Sequence, residues 1–396
     1  MSEQSVVHTP VGGRLWTRPF ALLVLVAVVG AGLVLVRFVS GLGSITNLND
    51  GYPWGVWIGI DVVIGTALGC GGYAVALLAY VLNRGKYHPI VRPAVLTSLL
   101  GYGFAAVAVI VDLGRFWGIW KVPVFFWRWT HSPQLEVALC VMTYVLVLIV
   151  ETSPALFEKL SSERTGSLAS LSKTALRGLD RSMPFLLAFG ILLPTMHQSS
   201  LGTMMLLPGP RVHPVWYTAW LPFLFLVNCL VIGYAVVILE AGFSSMAFGR
   251  PRHGEMLTSL SGVAAWVGLF WVAFRVLEVA WAGELGQVAG TEGLMFVLEV
   301  GLTALASAML LSPGVRSSAA WQLRAAILFL LGGALFRINT YLVAFNPGPE
   351  WTYFPTVPEL FITFGIIAAE LAVYIAAVKT FPILAGAEVA PVRSAG

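Results

Sequence analysis

The sequence predicts an all-α, polytopic membrane protein with about ten transmembrane helices. Of its 396 residues, 58% are hydrophobic and only 11% are charged, whereas a soluble domain carries about 25% charged residues. About ten apolar stretches reach roughly 20 residues, the length needed to cross about 30 Å of hydrocarbon. Most of the 14 tryptophans lie near the ends of these stretches, where an interfacial aromatic belt is expected.

The ten predicted helices lie near residues 19–39, 56–82, 93–114, 134–152, 183–200, 215–241, 256–282, 293–313, 320–340 and 356–381. The first follows Arg14 and Arg18 as a signal sequence would. No small-residue cleavage site follows it, so we interpret it as a retained anchor. We expect two four-helix bundles and two flanking helices, divided into an N-terminal tail (1–18), a first flanking helix and outer loop (19–55), a first bundle that holds the candidate site (56–200), a second bundle (201–340), and a last flanking helix with its tail (341–396).

Lysine and arginine are distributed unequally between the two sides of these helices. If the N-terminus lies inside, the inner connections carry most of them, and the outer loops carry only Arg115, Lys121, Arg128 and Arg211. Positive loops remain on the cytoplasmic side of a membrane. We therefore expect both termini in the cytoplasm, and we expect residues 161–180 to form a polar, partly helical connection along the inner surface.

Two short patterns recur at an offset of 163 residues. The stretch 135–139 reads LEVAL and 298–302 reads LEVGL, each at the start of a helix. The same offset carries Asp112 and Arg115 onto Arg275 and Glu278, so both bundles have an acid and an arginine three residues apart. That spacing places both side chains on one helix face. We infer that the bundles arose by duplication, with chance similarity of apolar-rich stretches as the alternative.

Costly polar residues gather in the outer half of the first bundle. Five of them are expected at a similar depth, with Tyr102 nearer the membrane centre: Asp61, Asp112, Glu136, His197 and Gln198. For each of these residues taken alone, a buried hydrogen bond with a structural role is a sufficient explanation. Ionisable side chains at membrane depth are expensive and tend to mark function, so the set predicts a site in a buried crevice.

The second bundle carries two arginines and two acids at comparable depth, namely Arg275, Glu278, Glu299 and Arg337. We expect a salt-bridge network that ties helices seven, eight and nine together, and a proton relay is the alternative. Glu151 and Glu240 end helices four and six on the inner side. Each is either a proton entrance or an interfacial charge.

Cysteine and histidine patterns argue against a metal centre in this chain. Cys70, Cys140 and Cys229 lie far apart and no CxxC occurs, so we expect neither an iron–sulfur cluster nor another metal site. Of six histidines, only His197 lies clearly inside a predicted helix. A b-type haem held by two histidines needs a pair at matched depth, so we also expect no haem. The net charge of +4 is explained by cytoplasmic loops, and no nucleic-acid partner is expected.

Six segments together resemble the NrfD/PsrC family of quinone-interacting membrane subunits, and most of all its HybB branch, the membrane subunit of respiratory nickel–iron hydrogenases. The resemblance covers nearly the whole chain. The segments are NLNDGYPWGVWIGID at 47–61, GKYHPIVRP at 85–93, IVDLGR at 110–115, LEVALCV at 135–141, PTMHQSSLG at 194–202 and YFPTVPE at 353–359.

The resemblance implies a function that composition and spacing do not show. It implies a cofactor-free subunit, not catalytic alone, in the cytoplasmic membrane of a bacterium or archaeon. Such a subunit exchanges electrons between a ferredoxin-like iron–sulfur subunit on the periplasmic face and menaquinone or ubiquinone. The complex also contains a nickel–iron hydrogenase or other catalytic subunits, and some members are thought to move protons. By this resemblance, Glu136 is the family's essential acid and His197 its buried histidine.

Quinone reduction takes two electrons and two protons. Because the electrons can come from an external cluster, this subunit must supply a pocket between helices and a few polar side chains that bind the ring and deliver protons. We hypothesise that His197 or Tyr102 binds a quinone carbonyl beside Gln198, and that Glu136 delivers a proton while Asp112 and Arg115 orient the acid or the ring. One alternative is a repeat-built transporter or ion translocator, which should have interrupted helices near the membrane centre. In this sequence the helix breaks cluster in loops. The other alternative is a passive anchor for a peripheral hydrogenase, which would not bind quinone analogues.

Overall fold

The computed structural model describes residues 7–386, and within them ten helices are long and apolar enough to cross a membrane. They are α1 (Arg18–Ser40), α2 (Trp57–Val81), α3 (Gly85–Asp112), α4 (Pro133–Glu163), α5 (Ser167–Met204), α6 (Leu221–Phe248), α7 (Gly254–Trp281), α8 (Glu292–Leu311), α9 (Ala319–Val343) and α10 (Val357–Thr380). No β-strand occurs in the described range. The predicted all-α membrane fold is therefore confirmed, while the tail ends at 1–6 and 387–396 lie outside the described residues.

Helix starts follow from local capping chemistry. The side chains of Thr17 and Ser132 accept hydrogen bonds from backbone N–H groups in the first turns of α1 and α4. Thr356 and Glu359 form a reciprocal capping box at the start of α10. Each of these three helices also has a proline within its first two positions, where a missing N–H costs nothing.

Helices α4 and α5 are longer than the sequence predicted. They contain 31 and 38 residues, so at about 1.5 Å per residue each exceeds the roughly 30 Å of hydrocarbon. The predicted partly helical connection at 161–180 is instead the end of α4, a turn around Gly166 and the continuous first half of α5. The two helices therefore form a hairpin that projects beyond the membrane.

Both chain ends meet on one side of the molecule. The backbone N–H of Thr9 donates to the carbonyl of Leu384 at 3.0 Å, and that of Val11 donates to Val378 at 2.9 Å. This side, which also carries the α4–α5 hairpin, is called the terminal face. The other side, which carries the connections α1–α2 and α3–α4, is called the opposite face.

The helices pack as two groups with a flanking pair. Helix α4 packs most extensively on α5, α8 packs on α9 and α7, and α6 joins the groups through contacts with α2, α5 and α9. Helices α1 and α10 form the flanking pair, and α10 also rests on α3. The pair can pack closely because Gly30 and Gly365 face each other where the backbones touch, as small residues permit between membrane helices.

Helix α2 is irregular near its centre, contrary to the expectation that helix breaks cluster in loops. It contains π-helical turns at Trp57–Val62 and Leu77–Val81, with a non-α turn at Gly69 and Cys70 between short α-helical pieces. The helix is compressed between neighbours, because a Cβ on Gly101 of α3 would lie 3.0 Å from the carbonyl oxygen of Gly65. Such π-turns frequently occur at functional sites.

Replacing Gly30 by leucine should push α1 away from α10 and destabilise the protein by about 1–3 kcal/mol, the usual cost of overpacking. A Cβ on Gly30 would lie 2.7 Å from Cα of Gly365, so backbone would have to move. Thermal unfolding in detergent measures the loss. Gly32→Leu is the matched control, because nothing lies within 4 Å of a Cβ there. Equal losses in the two variants would contradict this role of the glycine contact.

Candidate functional site

A group of fully buried polar side chains lies where α2, α3 and α5 meet. Nε2 of Gln198 donates hydrogen bonds to Oγ1 of Thr66 and to the hydroxyl of Tyr102, each at 3.2 Å. The Tyr102 hydroxyl also lies 3.6 Å from Sγ of Cys70, and its ring meets the His197 ring edge-on at 5.4 Å between centroids. These five residues, Thr66, Cys70, Tyr102, His197 and Gln198, are called the central polar group.

The central polar group has unused hydrogen-bonding capacity. Neither ring nitrogen of His197 has a hydrogen-bond partner among residues 7–386, and neither does Oε1 of Gln198. Both residues have 0% relative exposure. A buried polar atom without a partner costs free energy, so these atoms indicate a place where a ligand or water completes the bonding.

A cavity of about 340 Å³ leads from the terminal face toward this group. Glu151, Tyr80 and Tyr144 line it, and the ion pair of Arg92 with Glu158, at 2.6 Å, stands at its wall. The Tyr144 ring separates the cavity from the central polar group, because it packs edge-on against Tyr102 at 4.7 Å between centroids. The lining does not include His197.

One stripe of α4 connects both faces past this site. Glu136, Cys140, Tyr144 and Glu151 are spaced by four, four and seven residues, so they lie on one side of the helix. Cys140 and Tyr144 are buried, and Glu151 reaches the cavity. The sequence prediction included Glu136 and Glu151 but missed Tyr144, although its helical spacing from Glu136 was a usable signal.

Glu136 itself differs from the expectation of a buried acid. It is exposed in the first turn of α4, and its side chain makes no hydrogen bond or ion pair within residues 7–386. The exposure of Glu136 follows from its position, because the first turn of α4 lies next to the connection 113–131, whose tryptophans are also exposed. Arg115 is exposed there too and lies beyond Asp112, where α3 ends, so the two residues do not share the predicted helix face.

The predicted cluster is divided between two places. Arg37 of α1, rather than Arg115, lies near Asp112, and it donates hydrogen bonds to the carbonyls of Val111 and Leu113 at the end of α3. Oδ2 of Asp61 accepts a hydrogen bond of 2.8 Å from Thr363 of α10. Asp61 and Asp112 therefore face the flanking pair, whereas Tyr102, His197 and Gln198 form the central polar group.

At the opposite face, Glu359 anchors the last loop. Its carboxylate accepts hydrogen bonds from the Tyr353 hydroxyl at 2.7 Å, the Thr356 N–H at 2.8 Å and the Asn47 N–H at 3.1 Å. Burial raises the pKa of the Tyr353 phenol above its ordinary value, and the hydrogen bond to Glu359 adds to this. Tyr353 therefore stays protonated and remains a hydrogen-bond donor at neutral pH.

In the second group, three of the four predicted residues form ion pairs. Arg275 pairs with Glu278 one helical turn away, and its Nε lies 3.5 Å from Oε1 of Glu299. The other oxygen of Glu299 accepts hydrogen bonds from Trp216 at 3.2 Å and Asn339 at 2.7 Å. This arrangement ties α7, α8 and α9 together.

Arg337 does not join this network. Within the described residues its fully buried guanidinium meets no carboxylate and donates to Asn228 Oδ1 at 2.8 Å and to the carbonyls of Val63 and Phe225 at 2.8 and 3.0 Å. The reason is rotational, because Arg337 points from α9 toward α6 and α2 while Asn339, two residues on, points toward Glu299. Arg337 thus places a positive charge against α2 at Val63, three residues before Thr66, which accepts a hydrogen bond from Gln198.

Known proteins resemble this chain over most of its length. The family model described as "Polysulphide reductase, NrfD" matches residues 44–345. The chain is 36% identical to the "Probable Ni/Fe-hydrogenase 2 b-type cytochrome subunit" of Escherichia coli, over 95% of this chain and 94% of that protein. It is 30% identical to the "Menaquinone reductase, integral membrane subunit" of Nitratidesulfovibrio vulgaris, over 62% and 58% of the two chains. It is 23% identical to a selenate reductase subunit of Mesobacillus selenatarsenatis, over 60% and 58%.

The first of these names corrects the sequence prediction of no haem. The Escherichia coli relative is named a b-type cytochrome subunit, and that name points to haem. A haem held by two histidines would need two buried rings facing each other. Among residues 7–386 the one fully buried histidine is His197, and its ring packs on Tyr102. The described residues therefore do not fit a two-histidine haem site.

Replacing Arg275 by glutamine should destabilise the protein by about 3–5 kcal/mol, because it leaves buried carboxylates without their cation. Chemical unfolding in detergent measures the loss. Arg324→Gln removes the same charge from an exposed side chain and should change little. Adding Glu299→Gln to the Arg275 variant should restore part of the stability, and a double variant with no recovery would contradict the pairing.

Proposed function

Since this chain belongs to the NrfD family, described as polysulphide reductase, we propose that it binds quinone or quinol as the membrane subunit of a respiratory oxidoreductase complex. Electrons would pass between the quinone and an iron–sulfur subunit that belongs to the same complex. The names of the relatives support this proposal, because they are subunits of a hydrogenase, a menaquinone reductase and a selenate reductase. The catalytic partner is then a nickel–iron hydrogenase or a comparable reductase.

The unpaired atoms of the central polar group are the observation that carries this proposal. A quinone carbonyl accepts hydrogen bonds, and a ring N–H of His197 or the hydroxyl of Tyr102 can donate them. Oε1 of Gln198, which has no partner among the described residues, can accept a hydrogen bond from the hydroxyl of the reduced quinol. Pockets for such ligands are mostly apolar with few polar groups, and the aromatic rings of Tyr102 and Tyr144 supply that surface.

The positive charge of Arg337 suits the chemistry proposed for this group. Adding electrons to a quinone before its protons arrive creates negative charge on the carbonyl oxygens. The acceptors that hold this buried cation are neutral, so they do not cancel its positive charge. Fixed charges interact strongly with a reacting group where water is excluded. Arg337 is such a cation, and its contact with Val63 lies three residues from Thr66 of the central polar group. It would therefore stabilise the reduced ring electrostatically without giving up a proton.

Protons for the reaction would come from the terminal face. Reduction consumes two electrons and two protons and yields the quinol. Glu151 lines the cavity whose inner end is Tyr144, so water in this cavity would be the source of protons. The Tyr144 ring closes that end against Tyr102, and its movement would open the way to the central polar group. By the distribution of lysine and arginine, the terminal face lies in the cytoplasm.

We assign proton exchange at the opposite face to Glu136, which begins the α4 stripe that also contains Glu151. It lies in the first turn at the opposite face, beside the exposed tryptophans 117, 120 and 127. An iron–sulfur subunit seated on this aromatic surface would cover Glu136 and remove it from water. The acid would then exchange a proton with a quinone whose head group reaches from this side toward His197.

Replacing His197 by glutamine should weaken binding of a quinone analogue about tenfold, which is the value of one hydrogen bond of roughly 1.4 kcal/mol. The measurement is titration of the purified complex with a quinone-site inhibitor. His131→Gln is the matched control, because His131 is exposed at the opposite face. Unchanged affinity in the His197 variant would remove His197 from the quinone site.

Replacing Glu136 by glutamine should leave assembly intact and lower quinone-dependent turnover by about 10²–10⁴-fold, the range for losing a positioned proton donor. Turnover is measured with the partner subunits and a soluble quinone. Glu163→Gln removes an exposed acid from the other end of α4 and should behave as wild type. Normal turnover in the Glu136 variant would end the role assigned to this acid.

A further inference from the structure

A groove of about 530 Å³ runs along α7 from the terminal face. Its floor is one face of the helix, because Glu255, Ser259, Gly262 and Trp266 are separated by four, three and four residues. From Glu255 to Trp266 the helix rises about 16 Å, which is the depth of about one leaflet of the bilayer. Arg316, from the connection between α8 and α9, also lines the groove. It is called the α7 groove.

Two cations lie near the terminal end of the α7 groove without an acidic partner. The Arg316 guanidinium lies over Gly262, where a Cβ would be 3.2 Å from Nη1. Within residues 7–386 its side chain makes only a long hydrogen bond of 3.5 Å, to the carbonyl of Leu310, and no ion pair. Lys86, from the connection between α2 and α3, donates a hydrogen bond of 2.6 Å from Nζ to Oγ of Ser259 and pairs with no carboxylate in the same range. Both side chains therefore keep N–H groups for an anion.

A carboxylate and a hydroxyl group complete this end of the groove. Glu255 is exposed and forms no ion pair with another described residue. It lies about 6 Å nearer the aqueous side than Ser259 along the helix axis. The Thr258 hydroxyl accepts a hydrogen bond of 3.3 Å from Nε2 of Gln322, so its own proton remains available to a ligand. The order from water inward is thus a carboxylate first, and then hydroxyl groups with two cations.

The inner part of the groove is apolar. Val263 and Val267 line it beside Trp266, whose side chain is 63% exposed. Tryptophan is favoured near the membrane–water boundary, because its ring is apolar while its N–H is polar. A ligand that fills the whole groove therefore needs a charged end near water and an apolar end within the leaflet. A phospholipid has both.

We propose that the α7 groove binds a phospholipid with an ethanolamine headgroup from the leaflet at the terminal face. Its phosphate accepts hydrogen bonds from Arg316, Lys86 and Thr258, since guanidinium and ammonium groups bind phosphate oxygens strongly. Its ammonium group, which is farther from the acyl chains than the phosphate, donates to the carboxylate of Glu255. One acyl chain then lies along the apolar part of the groove beside Trp266.

The charge pattern favours this headgroup over two others. The excess of lysine and arginine on the cytoplasmic side of membrane proteins accounts for the cations, but it does not account for an acid without a partner beside them. A glycerol headgroup carries only the negative phosphate and would leave Glu255 without a cation. A choline headgroup carries a cation that has no N–H, so it cannot donate a hydrogen bond to the carboxylate.

The test is native mass spectrometry of the full chain in detergent, titrated with phosphatidylethanolamine, phosphatidylglycerol or phosphatidylcholine of identical acyl chains. The first phosphatidylethanolamine should bind about tenfold more tightly than either other lipid, because it alone forms both charged contacts. Arg316→Gln should weaken binding of all three lipids about tenfold, because it removes a contact to the phosphate that they share. Glu255→Gln should weaken only phosphatidylethanolamine, to the affinity of phosphatidylcholine.

Arg324→Gln and Glu350→Gln are the matched controls, because they remove an exposed arginine and an exposed acid outside the groove. Both should bind lipid as wild type, and the thermal unfolding midpoint of every variant checks folding. Wild-type binding that does not favour phosphatidylethanolamine overturns the proposal, and so does unchanged phosphatidylethanolamine affinity in either folded groove variant. No quinone takes part in the measurement, so the result does not depend on the quinone proposal.

Discussion

The need to satisfy buried polar groups inside hydrocarbon determines most of this structure. Membrane lipid offers no hydrogen bonds, so each polar group must find its partner within the chain or with a ligand. Arg337 meets this need with one side-chain and two backbone acceptors from α6 and α2. Arg37 meets it by capping the carbonyls that α3 leaves free at its end. These contacts set which helices are neighbours, and among the described residues they leave only a few groups, such as His197, without a partner.

Composition and periodicity were sufficient to predict the fold, but they did not predict which side chains contact each other. Ten apolar stretches predict ten helices, because length and hydropathy alone decide which stretches cross a membrane. They do not fix helix rotation, and rotation decides that Arg337 turns away from Glu299 while Asn339 turns toward it. The same limitation applies to Asp61 and Asp112, which share a depth with His197 in the sequence prediction but face α10 and α1. Glu136 was expected in a buried crevice because it begins a predicted helix at the depth of the other polar residues, whereas the structure leaves it exposed.

One feature missed from the sequence had a readable signal. Tyr144 follows Glu136 by eight residues, so the two side chains lie on one face of α4. Helical spacing among the polar residues of that predicted helix is therefore enough to reveal the stripe. The partners across the interface, such as Thr363 with Asp61, required the structure, because 302 residues separate them in the chain.

Helix α2 contacts both the flanking pair and the central polar group. Asp61 lies in the π-helical turn Trp57–Val62 and faces α10, while Thr66, five residues later, accepts a hydrogen bond from Gln198. The two side chains therefore point to different neighbours, although only five residues separate them. Thr66 also donates to the carbonyl of Val62 at 2.7 Å, inside the turn that holds Asp61. A short path of hydrogen bonds therefore leads from Gln198 through Thr66 to the backbone beside Asp61.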